Sequence, residues 1–399
     1  MNLAVALLIA AMAQAPLYEA EFVCPPNPKH DHGSSIVETP RGDLLAVWFH
    51  GSGERRSDDV LLRGARKPKG ASDWSEPFVM ADTPELPDCN PVLFMDPRGT
   101  LWLFWVTIQN NEWGGALLKC RRTADYNSDG PPKWEWQDVI HTRPKDLEER
   151  FTKLLDEAEA KGPPPMIPEE RFKGLIAVGR EAAADKLARR LGWMTRIHPI
   201  MVSENRMLLG LYSDVFNCSL AAYTEDWGGH WACSEAILNP DAMYLGNIQP
   251  SFVKKRNGDI VAFMRDNGMP KRIRTAVSHD NGETWPEAGM LDIRNPGSSV
   301  ECITLDSDAW VLVCNDTSNG RHLLTACLSE DEGASWPWAR RIEEQEKGKG
   351  SFSYPSVIQG ADGTIHCTYS HSKEGGDGSC IKHARFNEAW IRESKIAEE

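Results

Sequence analysis

Six stretches of the chain repeat one arrangement of apolar and polar positions. A polar residue, often followed by proline, precedes a short apolar run, a turn, and then an alternating apolar strand. The stretches are HGSSIVETPRGDLLAVWF (32–49), NPVLFMDPRGTLWLFWV (90–106), HPIMVSENRMLLGLYS (198–213), QPSFVKKRNGDIVAFMR (249–265), SSVECITLDSDAWVLVCN (298–315) and YPSVIQGADGTIHCTYS (354–370). Each reads as two strands joined by a tight turn, with β-branched and aromatic residues in the strands. The turn residues Gly42, Gly99, Asn205, Gly258, Asp308 and Gly363 are 57, 106, 53, 50 and 55 residues apart. A period of about 50 residues with four strands per unit predicts propeller blades. The doubled spacing coincides with residues 145–191, where LEERFTKLLDEAEAK and GREAAADKLARRLG have helical apolar spacing and are separated by the breaker GPPPMIP. The expected fold is all-β: a six-bladed β-propeller over residues 16–399, with a helical insertion between blades two and three.

A second repeat follows the hairpins. SHDNGETW (278–285) and SEDEGASW (329–336) fit S-x-D-x-G-x-x-W, and TEDWGGHW (224–231) fits with Thr for Ser. These are Asp-box turns: Ser and Asp side chains bond local amides, Gly takes the positive φ, and Trp fastens the turn to the blade. Blades one and two carry remnants, ASDW (71–74) and ADYNSDGPPKWEW (124–136). The box aspartates are expected to be structural.

In a propeller the innermost strand of each blade starts, and the second strand ends, at the same face. Counting back from the turns places first-strand openings near Gly33, Asn90, His198, Gln249, Ser299 and Tyr354. Counting forward places second-strand ends at His50, Thr107, Asp214, Arg265, Asp266, Asn315, Asp316 and His371. These positions are nearly all polar or titratable, as a binding face requires. Arg265 suits a carboxylate fork, although Arg265-Asp266 also suits a structural ion pair. Tyr354 is either functional or a core aromatic, and Asp58 and Asp59 either serve the site or lie in a solvated loop. His32, His198 and Arg196 are site candidates that equally suit strand caps, and Trp102 and Trp105 read as blade packing.

Composition supports the β reading: 15 Trp against 7 Tyr, with 32 Gly and 26 Pro. A net charge of −14 without a basic block argues against a nucleic-acid partner held by a broad phosphate-neutralising surface. No apolar run is long enough to span a membrane. Residues 1–15, MNLAVALLIAAMAQA, read as a signal peptide and predict export. Ten cysteines contain no CxxC pair and leave disulfides undecided. No cluster has metal-ligand spacing, no glycine loop suits phosphates, and no cofactor is expected.

With its Asp boxes and period, the chain resembles the sialidase (neuraminidase) superfamily, in its BNR/Asp-box branch, over nearly all of residues 17–390. The resemblance implies a site near the central axis. There, three arginines grip a substrate carboxylate, a Tyr paired with a Glu is the nucleophile, and an Asp is the acid/base. Position by position, it implies Tyr354 as nucleophile, Arg265 and Arg321 as clamp arginines, and Asp58 or Asp59, with Arg56 beside them, in the acid/base loop. Two positions depart from the pattern: His32-Gly33 stand where the first clamp arginine is expected, and Gln249 where the nucleophile's Glu is expected. An amide cannot take the Tyr proton, and Glu301 is the alternative base. The expected function is exo-hydrolysis of a terminal acidic sugar, sialic acid or a relative, from a carbohydrate substrate. A uronate-specific lyase using Tyr354 with His32 or His198, and a propeller that binds carbohydrate without turnover, are the rival expectations.

Overall fold

The structure, a computed structural model, describes residues 14–165, 167–238, 246–373 and 378–394. Six antiparallel sheets follow one another around an axis. Blade one comprises β2 (His30–Glu38), β3 (Leu44–Gly51), β4 (Leu61–Lys67) and β5 (Phe78–Ala81). Blade two comprises β6 (Asp88–Met95), β7 (Leu101–Ile108), β8 (Ala116–Thr123) and β9 (Trp136–Val139). Blade three has a divided inner strand, β10 (Trp193–Met194) and β11 (Ile200–Met201), both paired to β12 (Met207–Ser213), then β13 (Cys218–Thr224) and β14 (Ala232–Cys233). Blade four runs β15 (Asn247–Lys254), β16 (Ile260–Asp266), β17 (Arg272–Ser278) and β18 (Glu287–Arg294). Blade five runs β19 (Glu301–Thr304), β20 (Trp310–Cys314), β21 (Leu323–Ser329) and β22 (Trp338–Glu344). Blade six takes β23 (Gly350–Gln359), β24 (Ile365–Lys373) and β25 (Ser379–Phe386) from the end of the chain, and its outermost strand, β1 (Tyr18–Phe22), from the start. Tyr18 pairs with Phe386 and stacks on Trp390, so the two ends close the ring. This strand lies just beyond the stretch read as a leader, of which residues 1–13 are outside the described residues.

The insertion folds as two helices, α1 (Leu147–Lys161) and α2 (Glu169–Ala184). Leu147, Phe151 and Leu155 on α1, with Phe172 and Ile176 on α2, form the buried stripe that the spacing requires. Phe151 meets Phe216 of blade three edge-on at 5.1 Å, which fixes the pair outside that blade.

The core lies between blades. Trp48, Trp102, Trp105, Trp193 and Trp310 are fully buried, and truncating such a side chain costs about 3–5 kcal/mol. Each Asp box folds as its residues dictate. Gly282 N donates to Ser278 Oγ (2.9 Å), Thr284 N donates to Asp280 Oδ1 (2.9 Å), and Trp285 stacks on Phe252 at 5.2 Å. The Thr variant does the same: Gly228 N donates to Thr224 Oγ1 and His230 N to Asp226 Oδ1, each at 2.8 Å. All ten cysteines are buried and none is in a disulfide.

One local device recurs at the axis. In β2, β6, β15 and β23 two residues oppose one on the neighbouring strand, a bulge whose first residue has positive φ: Gly33 (64°), Asn90 (52°), Gln249 (59°) and Tyr354 (59°). Proline follows in three of the four, where the bulge needs no ladder donor. Only blade one uses glycine. The left-handed conformation costs the other three residues about 1–2 kcal/mol each, and it turns their side chains toward one mouth of the channel.

Candidate functional site

At that mouth the bulges, the ends of β12 and β16, and two loops enclose a cavity of about 320 Å³ with an almost wholly polar lining. Tyr354 is at its centre. The phenol oxygen accepts from Arg265 Nη1 (3.0 Å) and Gln249 Nε2 (3.3 Å). Arg321 lies over the ring, 5.2 Å from its centroid, and is held by Gly297 O (3.2 Å) and Ser353 Oγ (3.5 Å). Burial would push the Tyr354 pKa up, but Arg265, Arg321 and the Gln249 donor together outweigh it and hold the phenol below its ordinary value. Gln249 therefore acts on the phenol as a donor, and its own Oε1 has no partner. Arg265 Nε is likewise buried without one.

His32 packs on Tyr354 with ring centroids 4.3 Å apart and meets Phe49 edge-on. Burial, then His30 and the guanidinium groups of Arg321, Arg196 and Arg265, depress its pKa well below the ordinary value, so its ring is neutral. A second tyrosine, Tyr212 of β12, accepts from Asn90 Nδ2 (3.1 Å), with Gln249 between the two hydroxyls. Burial drives its pKa well up, the reverse of Tyr354.

Two carboxyls line the cavity. Asp214 follows β12. Burial raises its pKa, with Arg265 opposing. Glu54, in the loop after β3, pairs with His30 Nε2 at 3.4 Å, and that contact holds its pKa below the usual carboxylate value. Two carboxyls pushed apart in this way are suited to opposite proton-transfer roles.

The counted positions Tyr354, Gln249, Asn90, Asp214 and Arg265 thus meet in one cavity, together with the candidates His32 and Arg321. Others do not. Asp58 accepts from Asn111 Nδ2 (2.8 Å) in an exposed loop. Asp59, with a side chain 41% exposed, is bound by Lys29 Nζ (2.9 Å) and Ser52, which keeps its carboxyl ionised far below the usual range. Of this loop's acids, Glu54 is the one that faces the cavity. Arg56 turns outward to Glu112 (3.0 Å). Asp266 is fully buried against Arg274 (3.2 Å) and caps Gly268 N (2.6 Å), an internal brace behind Arg265.

His198 and Glu301 lie deeper, on the other side of the bulges. His198 Nδ1 is 2.6 Å from Glu301 Oε1, and Nε2 is 2.8 Å from Ile36 O. Both ring nitrogens are engaged, and Ser35 Oγ is a further neighbour of Nε2 at 3.2 Å. Glu301 Oε2 accepts from Val357 N (2.7 Å). This pair lines the opposite mouth, a funnel of about 650 Å³ at the inner-strand ends. Arg196 lies between the two, beneath Tyr354.

Glu54, Tyr212 and Trp113 are cavity residues that the counting does not find. Tyr212 shares a strand face with Asp214 two residues later, which is a usable signal. Glu54 and Trp113 are on loops, where no period operates. Among the described residues no three His, Cys, Asp or Glu are grouped to hold a metal ion, and no helix is long and apolar enough to cross a membrane.

Known structures share this architecture. A protein of unknown function from Dyadobacter fermentans superposes with a TM-score of 0.67 at 15% identity, covering 92% of this chain and 98% of that one. The intramolecular trans-sialidase from Ruminococcus gnavus, in complex with oseltamivir carboxylate, gives 0.65 at 12%, covering 92% and 96%. The α-L-arabinanase from Penicillium chrysogenum, complexed with arabinobiose, gives 0.60 at 12%, covering 96% and 100%. At such identities the likeness is one of fold, and it is a fold that glycoside hydrolases use. The sequence model of the BNR repeat-like domain matches residues 42–150 and 190–367, breaking where the two helices are inserted. The chain is therefore a six-bladed propeller and belongs to the BNR repeat-like domain family.

Proposed function

We propose that the protein is an exo-acting glycoside hydrolase that releases a terminal acidic sugar. The observation that carries this reading is a polar cavity at the channel mouth with two guanidinium groups, an acidified phenol and two carboxyls of opposite tendency around one small volume. About 320 Å³ suits one sugar ring with its substituents, which favours release of a chain end over cleavage within a chain. Arg321 and the unpartnered Nε edge of Arg265 suit a planar carboxylate. Asp214, whose pKa burial raises, gives its proton to the leaving oxygen, and its carboxylate later takes one from the attacking water. Tyr354 approaches the anomeric centre through an oxygen that already receives two donors. Glu54 is the ionised carboxylate of the cavity and serves as the base for the phenol proton. A phenol avoids the repulsion that a carboxylate nucleophile would meet from an anionic sugar. The proposal of export rests on residues 1–15 alone.

A second reading has its own support. The neutral His32 ring against Tyr354, with Gln249 in place of an acid, also suits proton abstraction beside a uronate carboxylate, the first step of a lyase. Product analysis separates the two. Incubation with sialosides and with uronate polymers is expected to yield free sugar with a reducing end. An unsaturated product absorbing in the ultraviolet would establish the lyase, and no product from either class would leave a binding propeller.

A further inference from the structure

Arg196 is 1% exposed, and among the described residues its guanidinium forms no ion pair, with Glu301 the carboxylate that acts on it from a longer range. It comes from the interrupted stretch between β10 and β11, the one place where a blade's innermost strand is broken among the described residues. From there it crosses the axis. Nη1 donates to Ser34 O of blade one (3.0 Å), and Nη2 to Tyr354 O (2.5 Å) and Pro355 O (3.3 Å) of blade six. Its guanidinium carbon is 5.0 Å from the centroid of the Tyr354 ring, with Arg321 at 5.2 Å. A buried guanidinium is costly to desolvate, and bonds to carbonyls alone offset only part of that cost. Closing the ring of blades does not call for a charge at this point, because β1 and β25 already join its ends.

The carbonyls it holds belong to two of the four bulges. Tyr354 has φ 59° and Gly33, beside Ser34, has φ 64°. A tyrosine in the left-handed region persists only where its surroundings over-determine it, and the Arg196 fork fixes the carbonyls of two successive peptides, Tyr354–Pro355 and Pro355–Ser356.

We propose that Arg196 is a positioning residue for Tyr354: it locks the bulge that aims the phenol into the cavity and places a fixed positive charge beneath the ring. The inference rests on the reading of Tyr354 as the group at the reacting centre, but its principal test does not require turnover. The charged and titratable groups facing Tyr354 are Arg265, Arg321 and Glu54, with neutral His32 and Tyr212 beside them. Arg196 is the charge that approaches from below.

The test is an NMR titration of the tyrosine ring carbons in the full-length protein, with Tyr354→Phe assigning the signal among seven tyrosines. In Arg196→Met the Tyr354 titration is expected to move up by about one pH unit. With an acidic aryl glycoside, kcat is expected to fall roughly 100-fold while KM changes little. Arg196→Lys keeps the charge and is expected to titrate near wild type, with kcat down about tenfold because an ammonium lacks the planar fork. If the Met variant does not fold, Arg196→Gln carries the same titration. A residue that only fastened blades together would lower Tm in every variant and leave the Tyr354 titration unmoved, and that result overturns the proposal. If the wild-type protein turns over no acidic glycoside, the functional reading fails while the titration still decides the role of Arg196.

Discussion

The two mouths of the central channel are built from the same inner strands and treat polar groups in opposite ways. At the strand ends, His198 and Glu301 satisfy each other and reach carbonyl and amide groups of blades one and six, so the charges there are consumed. At the strand starts, Arg265 Nε and Gln249 Oε1 are buried without partners, burial raises the Asp214 pKa, and three non-glycine residues are held in left-handed backbone. A fold has no stability reason to leave one end strained and under-satisfied while completing the other. Unmade hydrogen bonds and strain together at a concave surface mark where a ligand completes the structure.

Substitutions at the two mouths should separate accordingly. The largest effect is expected from Tyr354→Phe, which removes the phenol oxygen that Arg265 and Gln249 address. Turnover of an acidic glycoside should drop by roughly 10³-fold or more with Tm little changed. Asp214→Asn comes next and tests the sign of a pKa shift. A carboxyl raised in the folded state contributes stability that is fully present below its unfolded pKa and lost as pH rises through the folded one. The asparagine variant should therefore gain Tm over wild type at neutral pH, show no gain below the ordinary carboxylate range, and lose turnover by about 10²-fold or more. In the wild type, kcat/KM should decline as pH rises through the raised Asp214 pKa.

Glu301→Gln at the other mouth inverts that pattern. It removes the buried carboxylate on which the His198 ring and Val357 N converge, so unfolding free energy should fall by about 2 kcal/mol while KM stays near wild type. The smallest effect is expected from Asp59→Asn. Its carboxylate is tied to Lys29 and Ser52 away from the cavity, and initial rates should stay within about threefold of wild type.

What the sequence disclosed follows from where periodicity operates. Hairpin turns fix a strand count, and counting from Gly363, Gly258 and Gly99 arrives at Tyr354, Gln249 and Asn90, while counting forward reaches Asp214 and Arg265. The Asp boxes and the helical insertion were legible for the same reason: their spacing is set by local backbone geometry. Loops have no such ruler. GERRSDDV offers Glu54, Asp58 and Asp59, and only three-dimensional structure shows that the first faces inward while Asp59 is spent on Lys29. Blade three misleads the count because its inner strand is broken, and so Arg196 and His198 lie beneath the cavity instead of on its wall. The closing strand β1 was hidden because its partner β25 lies at the far end of the chain.

The central claim is that the strand-start mouth reads a sugar carboxylate with its two arginines. The most direct measurement compares initial rates on an aryl α-sialoside and on its methyl ester, in wild type and in Arg321→Ala. The account predicts that wild type cleaves the acid at least about 100-fold faster than the ester and that the alanine variant loses most of that preference. Equal rates on acid and ester, or no cleavage of either at high enzyme concentration, would contradict it.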